Sequence, residues 1–175
     1  MTLRLLFSGL ALSTLMAASA AAAIPKPLAL QVRQLSALLT DGHAQLYAQA
    51  TRRQVIALHH DEELDLVWFT LEGFGGGNNY SRYLAAFSCE QGRETRCRLL
   101  DVQLSGSDYS DLDQVTAKKL PADAGAHAMT IVVEGIQVGK EFNDSTPKKV
   151  TRYYLLKDSR LYEEKSADGP LSIPE

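Results

Sequence analysis

This sequence has no long hydrophobic run, no excess of positive charge and only two cysteines. The longest apolar stretch runs from Leu5 to Met16, about 12 residues, whereas a membrane-spanning helix needs about 20. The 18 Lys and Arg residues are outnumbered by 21 Asp and Glu residues, for a net charge of −3 at pH 7. We therefore expect neither a membrane protein nor a nucleic-acid binder, since the latter needs a basic surface. With 45% hydrophobic residues, the 175-residue chain has the length and composition of one folded domain.

The first 23 residues have the three parts of a secretory signal peptide. Arg4 is their only charge, an apolar core follows, and alanine-rich segments that match the A-x-A cleavage pattern end at Ala20 and Ala23. We predict cleavage between Ala21 and Ile24, which leaves a single domain at 24–175 with no membrane span. The alanine-rich style is bacterial, so the expected location is the periplasm or the extracellular medium.

Two cysteines, Cys89 and Cys97, predict one disulfide bond, because an even count in an exported chain favours pairing. Their spacing matches neither a zinc knuckle nor a C-x-x-C redox motif; a free buried pair is the alternative. If they face each other across a hairpin, Phe87 faces Leu99 and Ala85 faces Asp101.

Hydrophobic periodicity predicts an α+β fold, in which an N-terminal helix packs on a mostly antiparallel sheet of about six or seven strands. The helix spans 28–39, and a second helical piece is predicted at 43–51. Residues 105–126 read as a long irregular excursion. The predicted strands are 54–59, 65–71, 80–89, 97–104, 129–138, 150–156 and 160–164, the last two joined by a tight turn at Lys157-Asp158-Ser159.

The segment from Glu72 to Tyr80 is the most unusual part of the chain because it contains three consecutive glycines between two predicted strands. Glycines permit positive φ and close backbone approach. The segment is therefore either a wide hairpin loop or bulge, or a nest of backbone N–H groups that holds an anion. The candidate binding residues are Glu72, Gly75, Gly76, Gly77, Asn78, Asn79 and Tyr80.

The same segment carries a resemblance. The loop Glu72-Gly73-Phe74-Gly75-Gly76-Gly77-Asn78-Asn79 and the strand Tyr83-Leu84-Ala85-Ala86-Phe87 resemble a group of small secreted bacterial proteins of unknown function. The resemblance covers about 20 residues of one hairpin. It implies a secreted α+β domain and assigns no activity, cofactor or catalytic residue.

Metal and nucleophile chemistry find little support in the residue pattern. His59 and His60 are adjacent, so on a strand they point to opposite faces, and His43 and His127 are distant in sequence. We expect no metal and no cofactor. No G-x-S-x-G elbow for a serine nucleophile occurs; Ser105-Gly106-Ser107 reads as a turn.

These observations favour a non-catalytic binding module whose partner is a protein, an envelope component or a small ligand. The alternative is a hydrolase that uses carboxylates near residues 72–80, for instance Glu72 and Asp101 if the fold brings them together.

Overall fold

A computed structural model describes residues 23–59, 62–90, 93–106, 111–120, 128–137 and 146–165, with the backbone alone at 59, 93–96, 106, 111–114, 118, 119 and 137. One α-helix precedes nine strands and a short 3-10 helix at Ala48–Ala50 in this part of the chain. The elements are α1 (Lys26–Leu39), β1 (Gln45–Leu46), β2 (Arg52–His59), β3 (Glu62–Phe74), β4 (Asn79–Glu90), β5 (Arg93–Gly106), β6 (Asp111–Lys119), β7 (Met129–Gln137), β8 (Lys148–Lys157) and β9 (Arg160–Glu164).

The strands form two antiparallel sheets. In the five-stranded sheet the order is β3-β4-β5, and β1 and β2 pair with successive parts of the free edge of β3. In the four-stranded sheet β6, β7, β8 and β9 follow one another as a meander. The sheet-rich α+β class is therefore correct, but the prediction of six or seven strands in one sheet is wrong.

Strand β3 is buried on both faces, because its sheet lies between α1 and the four-stranded sheet. These are the three layers of the fold. Leu64, Leu66 and Trp68 point toward the four-stranded sheet and pack with Ile131 and Tyr154. The alternate residues of β3 point the other way and pack against Leu28, Val32 and Leu35 of α1; they are Val67, Phe69 and Leu71. Because successive side chains on a strand alternate between faces, one continuous apolar run supplies two separate cores.

The edges of the two sheets meet each other. Strand β5 contacts β9, and β2 contacts β6. The Asp101 carboxylate on β5 accepts a hydrogen bond from the Leu161 N–H on β9 at 2.8 Å, and the buried hydroxyls of Ser105 on β5 and Tyr154 on β8 are hydrogen-bonded to each other. Edge strands that contact one another present fewer unpaired backbone groups to other chains.

Two sequence-based assignments need correction. The predicted helical piece at 43–51 is instead β1 and a single 3-10 turn, because Gln45 and Leu46 pair with the edge of β3 and the Tyr47 N–H bonds the Thr70 carbonyl at 2.9 Å. The predicted excursion at 105–126 contains β6, which pairs with β7. A register shift between Leu112 and Gln114 breaks the alternation that would have revealed the strand.

Cys89 and Cys97 form the predicted disulfide across the β4–β5 hairpin. Phe87 also pairs with Leu99, as expected. A bulge beyond Leu99 then shifts the register, so that Asp101 pairs with Ala86 and not with Ala85. Among the described residues, no helix combines the length and the apolar character needed to cross a membrane.

A buried ion pair lies beside the disulfide on the face that carries α1. The Arg53 guanidinium on β2 donates two hydrogen bonds to the Asp65 carboxylate on β3, at 2.8 and 2.9 Å. The two side chains are only 6% and 0% exposed. The Cys89 sulfur lies 3.1 Å from an Asp65 oxygen, so these three side chains pack as one polar cluster inside an apolar core.

Candidate functional site: a polar shelf beside the glycine hairpin

The glycine-rich segment is the turn of the β3–β4 hairpin. Glu72 pairs with Tyr80 and Phe74 pairs with Asn79, so Gly73, with φ of +94°, is the extra residue of a β-bulge. The Gly76 N–H then bonds the Gly73 carbonyl at 2.9 Å, and the Gly77 N–H bonds the Phe74 carbonyl at 3.3 Å.

Asp41 ties this turn to the loop that follows α1. One carboxylate oxygen of Asp41 accepts the N–H of Gly75 at 2.7 Å, and the other accepts the N–H groups of His43 and Ala44 at 2.9 and 3.0 Å. The three backbone hydrogen bonds, that of Gly75 above all, lower the pKa of Asp41 to about 2. Asp41 is thus an ionised clamp that holds two loops together although its side chain is exposed.

These contacts bear directly on the anion-nest interpretation. The N–H groups of Gly75, Gly76 and Gly77 all have acceptors within the protein, and the only anion among those acceptors is the Asp41 carboxylate. The glycines therefore serve the backbone of the hairpin. The side chains around the hairpin, rather than the N–H groups of these three glycines, are the groups that remain for a ligand.

A row of polar side chains continues the inner face of β3 beyond the sandwich core. Because Leu64, Leu66 and Trp68 face the four-stranded sheet, Thr70 and Glu72 lie on that same face. Directly paired residues share a face as well, which places Arg52 beside Trp68, Arg82 beside Thr70, and Tyr80 and Gln45 on either side of Glu72. We call this surface the polar shelf; with the neighbouring Tyr47, it consists of Gln45, Tyr47, Arg52, Thr70, Glu72, Tyr80 and Arg82.

Two adjoining grooves cover the polar shelf. One has a volume of about 650 Å³ and is bordered by His43, Gln45, Gly73 and Asn78. The other has a volume of about 360 Å³ and is bordered by Tyr47, Arg52, Thr70 and Arg82. Glu72 and Tyr80 line both grooves, so the two form one continuous depression of the size that small-ligand sites occupy.

The charged groups of the shelf are held in different ways. The Arg82 guanidinium carbon lies 5.3 Å from the centre of the Tyr80 ring, a cation–π arrangement that fixes both side chains. Arg52 donates from Nη1 to the carbonyls of Gln49 and Thr51 at 2.7 and 3.1 Å. The Glu72 side chain is exposed at the meeting point of the grooves.

Thr70 is the most informative residue of the shelf. It is 4% exposed, it lines the smaller groove, and its hydroxyl oxygen has no hydrogen-bond partner among the described residues. A buried hydroxyl without a partner costs about 1–3 kcal/mol. Such groups are rare in folded proteins, and each one calls for an explanation.

The predicted site residues divide into two groups. Glu72, Asn78 and Tyr80 line the grooves together with Gly76 and Gly77; Gly75 and Asn79 are exposed parts of the same turn. Sequence reasoning missed Asp41 and five shelf residues, namely Gln45, Tyr47, Arg52, Thr70 and Arg82. The sequence did contain a signal for the shelf. Trp68, Thr70 and Glu72 alternate with Phe69 and Leu71, so one face of β3 changes from apolar to polar after Trp68 while the other stays apolar.

The suggested carboxylate pair does not come together. Asp101 pairs with Ala86, which pairs with Leu66, and Glu72 lies six residues farther along β3, about 20 Å at the rise of a strand. Both oxygens of Asp101 accept backbone N–H groups, from Val102 and Leu161. Among the described residues that line the two grooves, Glu72 is the only carboxylate.

One group of possible metal ligands lies in the described part of the chain. Atoms of Asp65, Cys89 and Cys97 lie within 4.8 Å of one another, but the two sulfurs are bonded to each other and Asp65 is paired with Arg53. His43 lies at the edge of the larger groove. The side chain of His59, and all of His60 and His127, lie outside the described residues.

Comparison with protein-family models, with curated proteins and with solved structures found no match to this chain.

Proposed function

We propose that this protein is a non-catalytic binding module of the bacterial envelope or its surroundings, and that its ligand lies on the polar shelf. The observation that carries the proposal is the buried Thr70 hydroxyl without a partner at the floor of a groove. A ligand hydroxyl at this position would give Thr70 the hydrogen bond that the described residues do not supply.

The composition of the shelf indicates a hydroxyl-rich ligand. Guanidinium groups donate, Glu72 accepts, and Gln45 and Asn78 do both, while the ring of Tyr80 offers a flat face held by Arg82. This mixture suits a saccharide, which presents many hydroxyl groups around a compact ring. Arg52 and Arg82 outnumber the single carboxylate, that of Glu72, so the positive charge of the shelf favours a neutral or acidic sugar over a basic one.

The expected export of the chain agrees with this ligand class, since glycans are abundant in bacterial envelopes. The carboxylate-dependent hydrolase has less support, because such enzymes position two carboxyl groups within about 5–10 Å of each other. Glu72 has no such neighbour among the described groove-lining residues.

The test is a calorimetric titration of the exported protein with a panel of neutral and uronic-acid-containing oligosaccharides. Glu72→Gln, which removes the carboxylate acceptor of the shelf, should weaken binding at least tenfold at unchanged melting temperature. Glu134→Gln, on the exposed side of β7, is the matched control and should bind like the parent protein. Failure of every oligosaccharide to bind would contradict the proposed ligand class.

A further inference from the structure

A second cavity lies between the two sheets, at the end of the sandwich away from the polar shelf. Its volume is about 270 Å³. Its inner wall consists of apolar side chains that are buried, or half-buried in the case of Leu100, and its rim is formed by polar side chains. The wall residues are Leu58, Leu64, Leu100, Met129 and Leu156, and the rim residues are Glu62, Ser88, Arg98, Asp158 and Ser159.

Burial of these residues gives the cavity a direction. Leu64 and Met129 are 0% exposed, whereas Arg98, Asp158 and Ser159 are exposed. The cavity therefore runs from the core between the sheets to the protein surface. An apolar recess that opens on a small set of polar groups is the usual form of a small-molecule site.

We propose that this cavity binds a small aliphatic molecule with a neutral polar end group. A 150 Å³ apolar cavity holds a benzene molecule, so the present volume suits a chain of about eight to ten carbons. Among the described residues, the rim combines one guanidinium, two carboxylates and two hydroxyls. A neutral hydroxyl can use both kinds of group, since it accepts from Arg98 and donates to Glu62 or Asp158; a carboxylate end would be repelled by two rim carboxylates, and an ammonium end would offer Arg98 no acceptor.

The cavity is independent of the polar shelf. Leu64 and Thr70 lie six residues apart on β3, about 20 Å at the rise of a strand. In the part of the chain that the structure describes, no residue lines both sites. Binding of an aliphatic molecule here therefore stands or fails separately from binding of a saccharide on the shelf.

Met129 provides a direct probe, because it is buried in the wall and the other two methionines, Met1 and Met16, lie in the predicted signal peptide. The exported protein is labelled with [methyl-13C]methionine, its signal is assigned with Met129→Leu, and 1-octanol, octanoate and octylamine are titrated separately. We expect octanol to shift the Met129 methyl resonance saturably, with at least fivefold tighter binding than either charged analogue.

A matched pair of variants on β5 locates the binding. Leu100→Phe fills the cavity and should weaken octanol binding at least tenfold. Leu99→Phe, at a neighbouring position that is 40% exposed and does not line the cavity, should leave it unchanged. Absence of a saturable shift up to the solubility limit of octanol would overturn the proposal, as would equal binding by the two variants. Tighter binding of octanoate or octylamine would overturn the assignment of a neutral end group.

Discussion

The Asp41 carboxylate lies 2.7 Å from the backbone nitrogen of Gly75, and this hydrogen bond joins residues 34 positions apart in the chain. It holds the glycine hairpin against the loop after α1, and so it positions the edge of the larger groove. The side chain that completes the hairpin thus comes from outside the glycine-rich segment.

Asp41→Asn should lower the melting temperature at neutral pH and reduce the loss of stability in acid. The pKa of Asp41 falls from 3.8 to about 2 on folding, so its contribution is complete above about pH 5. The contribution is lost as the pH falls through the folded-state pKa, since the unfolded state binds the proton more readily. Thermal denaturation between pH 2 and pH 7 measures this, with Glu134→Gln as the control. Identical pH profiles for Asp41→Asn and the parent protein would contradict the clamp.

Gly75→Ala and Gly76→Ala should each destabilise the protein by about 1–2 kcal/mol, the cost of a left-handed backbone for a residue with a Cβ atom. Their φ values are +64° and +71°, and an added Cβ atom meets nothing within 4 Å. We therefore expect the whole loss of stability to come from backbone strain. Gly77→Ala is the control within the same turn, because Gly77 lacks a positive φ and its Cβ atom would make only ordinary contacts. Equal losses at all three positions, measured by chemical denaturation, would count against this explanation.

Asp65→Asn should destabilise the fold by about 1.5–3 kcal/mol, because it removes the carboxylate that accepts two hydrogen bonds from the buried Arg53 guanidinium and leaves Arg53 with the more distant Glu63 carboxylate at 3.6 Å. Arg53→Met combined with Asp65→Leu should cost less than the single changes Arg53→Met and Asp65→Leu added together, since the two buried and hydrogen-bonded charges are then removed together. Urea denaturation of the four proteins completes the double-mutant cycle. Additive losses would show that the two side chains do not act as a pair.

Reduction of the Cys89–Cys97 bond should lower stability by about 2.5 kcal/mol, since the bond closes a small ring. The sheet should remain largely formed, because the hairpin is also held by its ladder of hydrogen bonds. Non-reducing peptide mapping and thermal denaturation with and without reductant measure both expectations. Two free thiols in the exported protein would contradict the pairing.

The protein that leaves the cell should begin between Ala21 and Ile24, as the A-x-A pattern predicts. N-terminal sequencing of the exported form measures the cleavage position. Retention of Met1 in a membrane fraction would contradict the signal peptide.

The parts of the fold that local patterns specify were predictable from the sequence. Helix α1 follows from its apolar spacing, the β8–β9 hairpin from Asp158-Ser159, and the register near Cys89 from the disulfide. Bulges account for other errors: one follows Leu99, and another interrupts β6 after Leu112. Each bulge shifts the period-2 alternation by one residue, so the pattern no longer marks a face.

The candidate site depended on contacts that the sequence does not encode locally. The glycines indicated a turn, but the role of Asp41 requires that two loops meet in the folded protein. The importance of Thr70 appears only when the four-stranded sheet is in place and leaves the end of β3 uncovered. The second sheet was not predicted, and so neither was the cavity between the sheets.

The central claim is that Thr70 serves a ligand on the polar shelf, and Thr70→Val tests it most directly. The change removes a buried hydroxyl that has no partner among the described residues, so it should raise stability by about 1 kcal/mol. Thr51→Val is the control, since the Thr51 hydroxyl is also buried without a described partner but does not line the grooves. We predict that Thr70→Val is more stable than the parent protein yet binds the saccharide at least tenfold more weakly, whereas Thr51→Val keeps full affinity. Undiminished saccharide binding by a stable Thr70→Val protein would contradict the account.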